Sequence, residues 1–179
     1  MFKIYITIYL LLFSNLSADI IQKLDVKGNN RISTETIKVY GDIKIGQDYS
    51  AFDIDEILKN LYKTEFFEDI KISLLDGVLN LVVKEYPTIN FVDFKGEKSN
   101  QIKKTVLEKL QLKSKESFIE SKLSQDIKLI KKIYSTIGFN FIEVDTKIER
   151  FDDNRINLVY FLDKGKKTNI AKITFIGDK

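Results

Sequence analysis

Cysteine, histidine and tryptophan are absent from the 179 residues. Without thiols or imidazoles the chain has no means to build a Cys/His zinc site, a disulfide framework, a thiolate nucleophile or a Ser-His-Asp triad. Arginine is scarce as well, present only as Arg31, Arg150 and Arg155. The guanidinium fork is the favoured reader of phosphates and base edges, so this scarcity argues against a nucleic-acid partner. The charge balance agrees: 29 Lys plus Arg against 26 Asp plus Glu leaves +3, too little for a polyanion footprint. Neither Gly-x-x-x-x-Gly-Lys nor Gly-x-Gly-x-x-Gly occurs, which removes the common phosphate-cradling loops.

Carboxylate groups remain as candidates for catalysis. Asp53, Asp55 and Glu56 open a helix, where acids suit the positive end of the helix dipole. Asp152 and Asp153 precede Asn154 in a turn, a place that favours Asp and Asn, and the Gly and Glu of a calcium loop are missing. The reading therefore assigns no catalytic residue, no cofactor and no metal. What the chain does have is 44% hydrophobic and 31% charged residues, enough to fold one ordinary domain or two small ones.

Residues 1–18 read MFKIYITIYLLLFSNLSA. One charge, Lys3, precedes an apolar run from Ile4 to Phe13, and a small polar stretch ends at Ala18. This is the plan of a secretory signal peptide. The run is about half of the roughly 20 residues that span a bilayer. Leu16 stands where a small residue would be usual. The mature chain is expected to begin near Asp19, outside the cytoplasm.

The rest is repetitive. Leu24-Asp25-Val26-Lys27-Gly28 returns as Val92-Asp93-Phe94-Lys95-Gly96, and again as Ile173-Thr174-Phe175-Ile176-Gly177. A second landmark keeps phase: Leu61-Tyr62-Lys63-Thr64-Glu65-Phe66 against Ile133-Tyr134-Ser135-Thr136-Ile137-Gly138-Phe139. Within the first unit a strand over 20–26 is followed by a short helix capped by Ser33. A second helix follows, with Asp53-x-x-Glu56 as its capping box and Ile54, Ile57, Leu58 and Leu61 as its stripe. Ile70, Ile72 and Leu74 alternate, Asp76-Gly77 turns the chain, and Leu79, Leu81 and Val83 return. The second unit repeats this plan. It has a strand over 89–95, a helix capped by Asn100, a longer helix opened by Ser117-x-x-Glu120, and strands on either side of Asp152-Asp153-Asn154. Pro87 lies between the units, at a stiff boundary. A third unit begins and stops after one strand, so the chain reads as a fragment.

Three stretches carry a resemblance. Glu85-Tyr86-Pro87-Thr88-Ile89-Asn90-Phe91-Val92-Asp93-Phe94-Lys95-Gly96 resembles a junction between two POTRA (polypeptide-transport-associated) domains. Leu61-Tyr62-Lys63-Thr64-Glu65-Phe66-Phe67-Glu68-Asp69-Ile70 is similar to the family's Leu-Tyr-x-Thr-Gly-Phe-Phe stretch, with Glu65 in place of the glycine. Lys164 to Gly177 is similar to the next junction. The expected fold is α+β: tandem β-α-α-β-β units, each a three-stranded mixed sheet packed on two helices. The expected organisation is a signal peptide over 1–18, POTRA units over 19–86 and 87–165, and the start of a truncated third over 166–179.

The resemblance places the third strand of each unit between the first and second, which leaves the second as an edge. An edge offers unpaired N–H and C=O groups to which an extended segment can add. The expected partner-binding residues are Ile70, Lys71, Ile72, Ser73 and Leu74 in one unit, and Ile142, Glu143, Val144, Asp145 and Thr146 in the other. The expected partners are unfolded outer-membrane proteins and the lipoproteins of their assembly complex, on the periplasmic side of the outer membrane. Contact with the membrane itself would come through a C-terminal barrel absent from this chain. Lys71, Glu143, Asp145 and Lys147 equally suit an edge that discourages aggregation. The other readings are a translocation-and-assembly or two-partner-secretion transporter, and a periplasmic ligand-binding or hydrolytic domain. Lys128, Lys131 and Lys132 read as a solvated helix face, Lys164, Lys166 and Lys167 as a solvated linker, and Phe66, Phe67, Tyr134 and Phe139 as core.

Overall fold

The computed structural model describes residues 19–169 together with residues 172, 174 and 177. The signal peptide read over 1–18 lies outside them. So do Ile170, Ala171, Ile173, Phe175 and Ile176, which would carry the first strand of a third unit. The chain divides into two compact units between Glu85 and Tyr86.

In the first unit, β1 (Asp19–Ile20) and β3 (Asp48–Tyr49) form a small antiparallel pair. The main sheet is built from β2 (Lys23–Lys27), β4 (Phe67–Leu75) and β5 (Val78–Glu85), in the order β2-β5-β4. β2 runs parallel to β5, and β4 antiparallel to it. The helices are α1 (Thr34–Tyr40) and α2 (Ala51–Lys63). Alternation along β5 buries Leu79, Leu81 and Val83, and these pack with Ile37 of α1 and with Ile57 and Leu61 of α2. Each such side chain contributes roughly 1.5–3 kcal/mol by leaving water. Asn80, Val82 and Lys84 alternate with them, on the opposite side of the pleat. At the hairpin, Asp76 and Gly77 have φ of 49° and 75°, the double positive φ that a two-residue turn between right-twisted strands requires.

The second unit uses the same plan: β6 (Thr88–Lys95), α3 (Asn100–Lys109), α4 (Glu120–Thr136), β7 (Glu143–Arg150) and β8 (Arg155–Asp163). The sheet order is β6-β8-β7, with β6 parallel and β7 antiparallel to β8. Phe94, Val106, Leu123, Ile130, Tyr134, Leu158 and Tyr160 form its core. The α+β fold and the central third strand are as expected. So are the aromatics: Phe67 and Tyr134 are buried, while Phe66 and Phe139 pack half-buried against the two cores.

The caps differ from expectation. α2 starts earlier than Asp53: Ser50 caps it, and Asp53 stands at the third position, accepting from the Ser50 N–H at 2.8 Å. Ser99, not Asn100, caps α3. Ile119 precedes α4 with no side-chain cap, because Ser117 is held in a bridge with Thr88. The first strand is interrupted between Ile20 and Lys23, where Ile21 turns fully into the core.

Glu65, which replaces the family glycine, has φ 58°. This is the left-handed region, which costs a residue with a Cβ about 1–2 kcal/mol. Gly138 serves the same turn in the second unit at φ 96°. Glu65→Gly is expected to stabilise the first unit by about 1 kcal/mol, seen as a higher urea midpoint with the slope unchanged. A lower midpoint would show that contacts of the glutamate outweigh its backbone strain.

Candidate functional site: the sheet edges

β4 and β7 each lie at the edge of their sheet. In an antiparallel ladder a residue's N–H and C=O point to the same side, and the side alternates along the strand. The side taken by each residue follows from single hydrogen bonds. In β7, the neighbouring Phe151 N–H donates to the Arg155 carbonyl across the turn at 2.9 Å. Counting back through an unshifted register, Glu149, Lys147, Asp145 and Glu143 face β8. Arg150, Ile148, Thr146 and Val144 face away from the sheet. In β4, the Ile70 N–H donates to the Tyr62 hydroxyl at 3.1 Å, so Ile70, Ile72 and Leu74 face away.

On both strands the side chains of these outward-facing residues, Arg150 excepted, are the inward ones. Ile70 is buried, and Ile72, Leu74, Val144, Thr146 and Ile148 are half-buried. Lys71, Ser73, Glu143, Asp145, Lys147 and Glu149 are exposed. A strand added to either edge would therefore continue the sheet, with one face toward the helices and one toward water.

Nine of the ten sequence-predicted residues lie on these strands. Ile142 does not: it precedes β7 and is buried at 7% exposure, so it belongs to the core. Phe141, beside it, also lies before the strand and is 78% exposed. The expected partner-binding residues end at Thr146 and leave out Ile148, although period-2 alternation runs through it. They also leave out the Tyr62 hydroxyl, which no local pattern reveals.

Two buried polar clusters hold the second unit's loops. Asp126, fully buried on α4, accepts from the Gln111 and Leu112 N–H groups at 2.8 and 2.9 Å and from the Tyr160 hydroxyl at 3.3 Å. Burial first, and then the Asp126 charge, hold the Tyr160 hydroxyl above its ordinary range. Glu97 accepts from the Ser99 N–H at 2.8 Å, the Tyr134 hydroxyl at 2.7 Å and the Lys164 ammonium at 3.3 Å. Lys164 also lies over the Phe139 ring, so it is a structural cation and not part of a solvated linker.

Burial pushes the Glu97 carboxyl up, but those three donors outweigh it and hold it below 4.5. Asp93 is held below 3.8, first by Lys103 and then by the Phe94 N–H. A depressed carboxyl stabilises the fold above its ordinary value, and that stabilisation is lost as pH falls through the native one. Unit two is thus expected to keep this contribution at neutral pH and to lose it on acidification below about 4.5. Glu97→Gln should flatten that acid limb in a series of urea midpoints against pH. An unaltered limb contradicts the assignment.

Carboxylates also line a shallow groove of about 220 Å³ in the first unit, where Asp42, Asp48, Asp53 and Glu56 meet Lys44 and Tyr49. Among the described residues, no group of three or more acids is placed to hold a metal ion, and no helix is long and apolar enough to cross a membrane.

Repeated small α+β units with open main-chain edges have the architecture of a scaffold domain. Residues 87–165 match the POTRA family, described as a surface antigen variable number repeat. The second unit is thus a POTRA domain, and the first repeats its order of strands and helices. It is 32% identical over 161 residues to the outer membrane protein assembly factor BamA of Neisseria meningitidis serogroup B, covering 89% of this chain and 20% of that protein. It is 22% identical over 162 residues to the BamA of Neorickettsia risticii, covering 90% of this chain and 22% of that protein. The chain thus spans about one fifth of the length of these curated relatives. The fold is also that of the N-terminal domain of Omp85 from Thermosynechococcus elongatus, with a TM-score of 0.51, 18% identity, and coverage of 79% of this chain and 61% of that one.

Proposed function

We propose that the chain is the periplasmic POTRA region of a BamA-like assembly factor. On this reading it is exported by the leader over 1–18. It carries POTRA units over 19–86 and 87–165 and the start of a third over 166–179. It holds extended segments of unfolded outer-membrane proteins, and docks accessory lipoproteins, by strand addition at a sheet edge, β4 or β7. It acts as a scaffold and not as an enzyme. The observation that supports this most is the outward-facing main chain of Val144, Thr146 and Ile148 on an unshifted edge strand. Backbone pairing is nearly blind to side chains, which suits a module with many clients. Ordering a disordered client costs entropy, so binding is weak and reversible.

Proline supplies the test. At Val144 or Ile72 it deletes an outward N–H and spares the ladder, as edge strands tolerate. Client crosslinking in the full-length parent protein is expected to fall several-fold in at least one of the two variants while helical circular dichroism is retained. Proline at Asp145, whose N–H faces β8, should instead loosen the sheet itself. Unchanged crosslinking in both Ile72→Pro and Val144→Pro would overturn strand addition.

A further inference from the structure

The two edges are not equivalent. We propose that the Tyr62 hydroxyl guards the outer edge of β4, and that β7 is the edge on which an extended partner with an apolar face and a basic face adds. This rests on the strand-addition reading and assigns it to one of the two units.

Three observations carry the assignment. First, the outward N–H of Ile70 is already satisfied by the Tyr62 hydroxyl at 3.1 Å. An incoming carbonyl would have to displace it and gain nothing net at that position. Second, the β4 register shifts between Phe67 and Asp69, and such a bulge turns an edge away from a straight partner. Together these leave only Ile72 and Leu74 as open outward residues of β4. β7 pairs without a shift from Glu143 to Arg150 and presents Val144, Thr146 and Ile148 in succession.

Third, the same repeat position is used differently in the two units. Tyr62 corresponds to Tyr134 in the recurring landmark. Tyr62 is 40% exposed and reaches the edge, whereas Tyr134 is fully buried and donates to Glu97 at 2.7 Å. Val144 pairs with Leu162 as Ile70 pairs with Val83, so Val144 is the counterpart of Ile70. Among the described residues no tyrosine hydroxyl meets its N–H.

The chemistry of the partner follows from the side chains of β7. Residues opposite Val144, Thr146 and Ile148 would enter the half-buried face. Those opposite Glu143, Asp145, Lys147 and Glu149 would lie on the exposed face, where three acids outnumber one base. Directly opposed unlike charges favour pairing and like charges disfavour it. The partner that fits alternates apolar residues with Lys or Arg.

The test uses the whole chain and two synthetic peptides of about ten residues, the length of a barrel strand. One alternates Val with Lys, the other Val with Glu. Backbone amide exchange is followed residue by residue. In the wild type, the Lys peptide is expected to protect Val144, Thr146 and Ile148 and to leave Ile72 and Leu74 unchanged, and the Glu peptide to bind at least several-fold more weakly. In Tyr62→Phe, the Ile70 amide of the free protein should exchange about tenfold faster, and the Lys peptide should gain protection at Ile70 and Ile72. A merely structural role for the hydroxyl would change the first of these and not the second.

Equal protection of β4 and β7 in the wild type overturns the assignment, and so does a Tyr62→Phe edge that stays closed. Equal binding of the two peptides overturns the basic partner. Absence of protection at both edges in every variant removes the strand-addition reading itself, and the guard with it.

Discussion

Gly28→Ala is expected to unfold the first unit, and Gly96→Ala the second. Each glycine ends the first strand of its unit, at φ +86° and +90°, where a side chain is strained wherever it points. Each also lies against the end of the central strand. A Cβ would sit 2.1 Å from the Val83 carbonyl oxygen in one case and 2.1 Å from that of Leu162 in the other. A rigid backbone atom has nowhere to retreat, so strain and clash add to a loss on the order of 3–5 kcal/mol. A domain of this size holds only about 5–10 kcal/mol in all. Loss of dispersion of the methyl NMR signals of the substituted unit is the expected readout. Retained dispersion with an unshifted melting temperature would show that the crossing is looser than these distances imply.

The second large effect is expected from the buried carboxylates. Glu85, 6% exposed at the end of β5, accepts from the Asn30, Arg31 and Ile32 N–H groups at 3.0, 3.1 and 2.8 Å. It thereby fastens the loop that follows Gly28. Asp126 does the equivalent for the α3–α4 connection. Truncation to Ala leaves two or three N–H groups without acceptors, one of them buried in each case, at a cost of about 1–3 kcal/mol for each desolvated group. Glu85→Ala and Asp126→Ala should each lower stability by about 3–5 kcal/mol. Asp126→Asn keeps one acceptor and should lose about half as much. Urea midpoints decide it, and a loss under about 1 kcal/mol for the alanine variants would mean that water replaces the carboxylates without cost.

The repeats solve one closure problem with the charges exchanged. In the first unit the acid is Glu85, on the central strand, and the loop supplies the donors. In the second, the loop supplies the acid, Glu97, and the central strand continues into Lys164. The position two residues beyond the one that faces the glycine, Glu85 after Val83 and Lys164 after Leu162, therefore carries opposite charge in the two units, and this is why Lys164 reads as linker in the sequence and is structural in the fold.

Strand and helix periods carried most of the architecture. The stripe of Ile57 and Leu61, the alternation of Leu79, Leu81 and Val83, and the Asp76-Gly77 turn each follow from local rules, and all are present. Asp126 was also legible in principle. It falls three residues after Leu123 and four before Ile130, on the buried stripe, and an acid there implies donors facing it. Helix starts were less legible, because Ser50, Asp53 and Glu56 offer overlapping capping boxes and only tertiary packing selects among them. The candidate site was half legible: alternation located the edges, but the side of the strand on which each N–H lies depends on turn geometry at Phe151 and on a tyrosine eight residues from its partner.

The absence of cysteine makes the most direct measurement clean. Single cysteines at Val144, Thr146 and Ile148, tested against a cysteine scan of an unfolded outer-membrane client under mild oxidation, read the register of any added strand. If the client joins the sheet, each two-residue step along β7 moves the preferred disulfide partner by two residues along the client, always in one direction. Disulfides spread evenly over the client, with no register, would contradict strand addition at this edge.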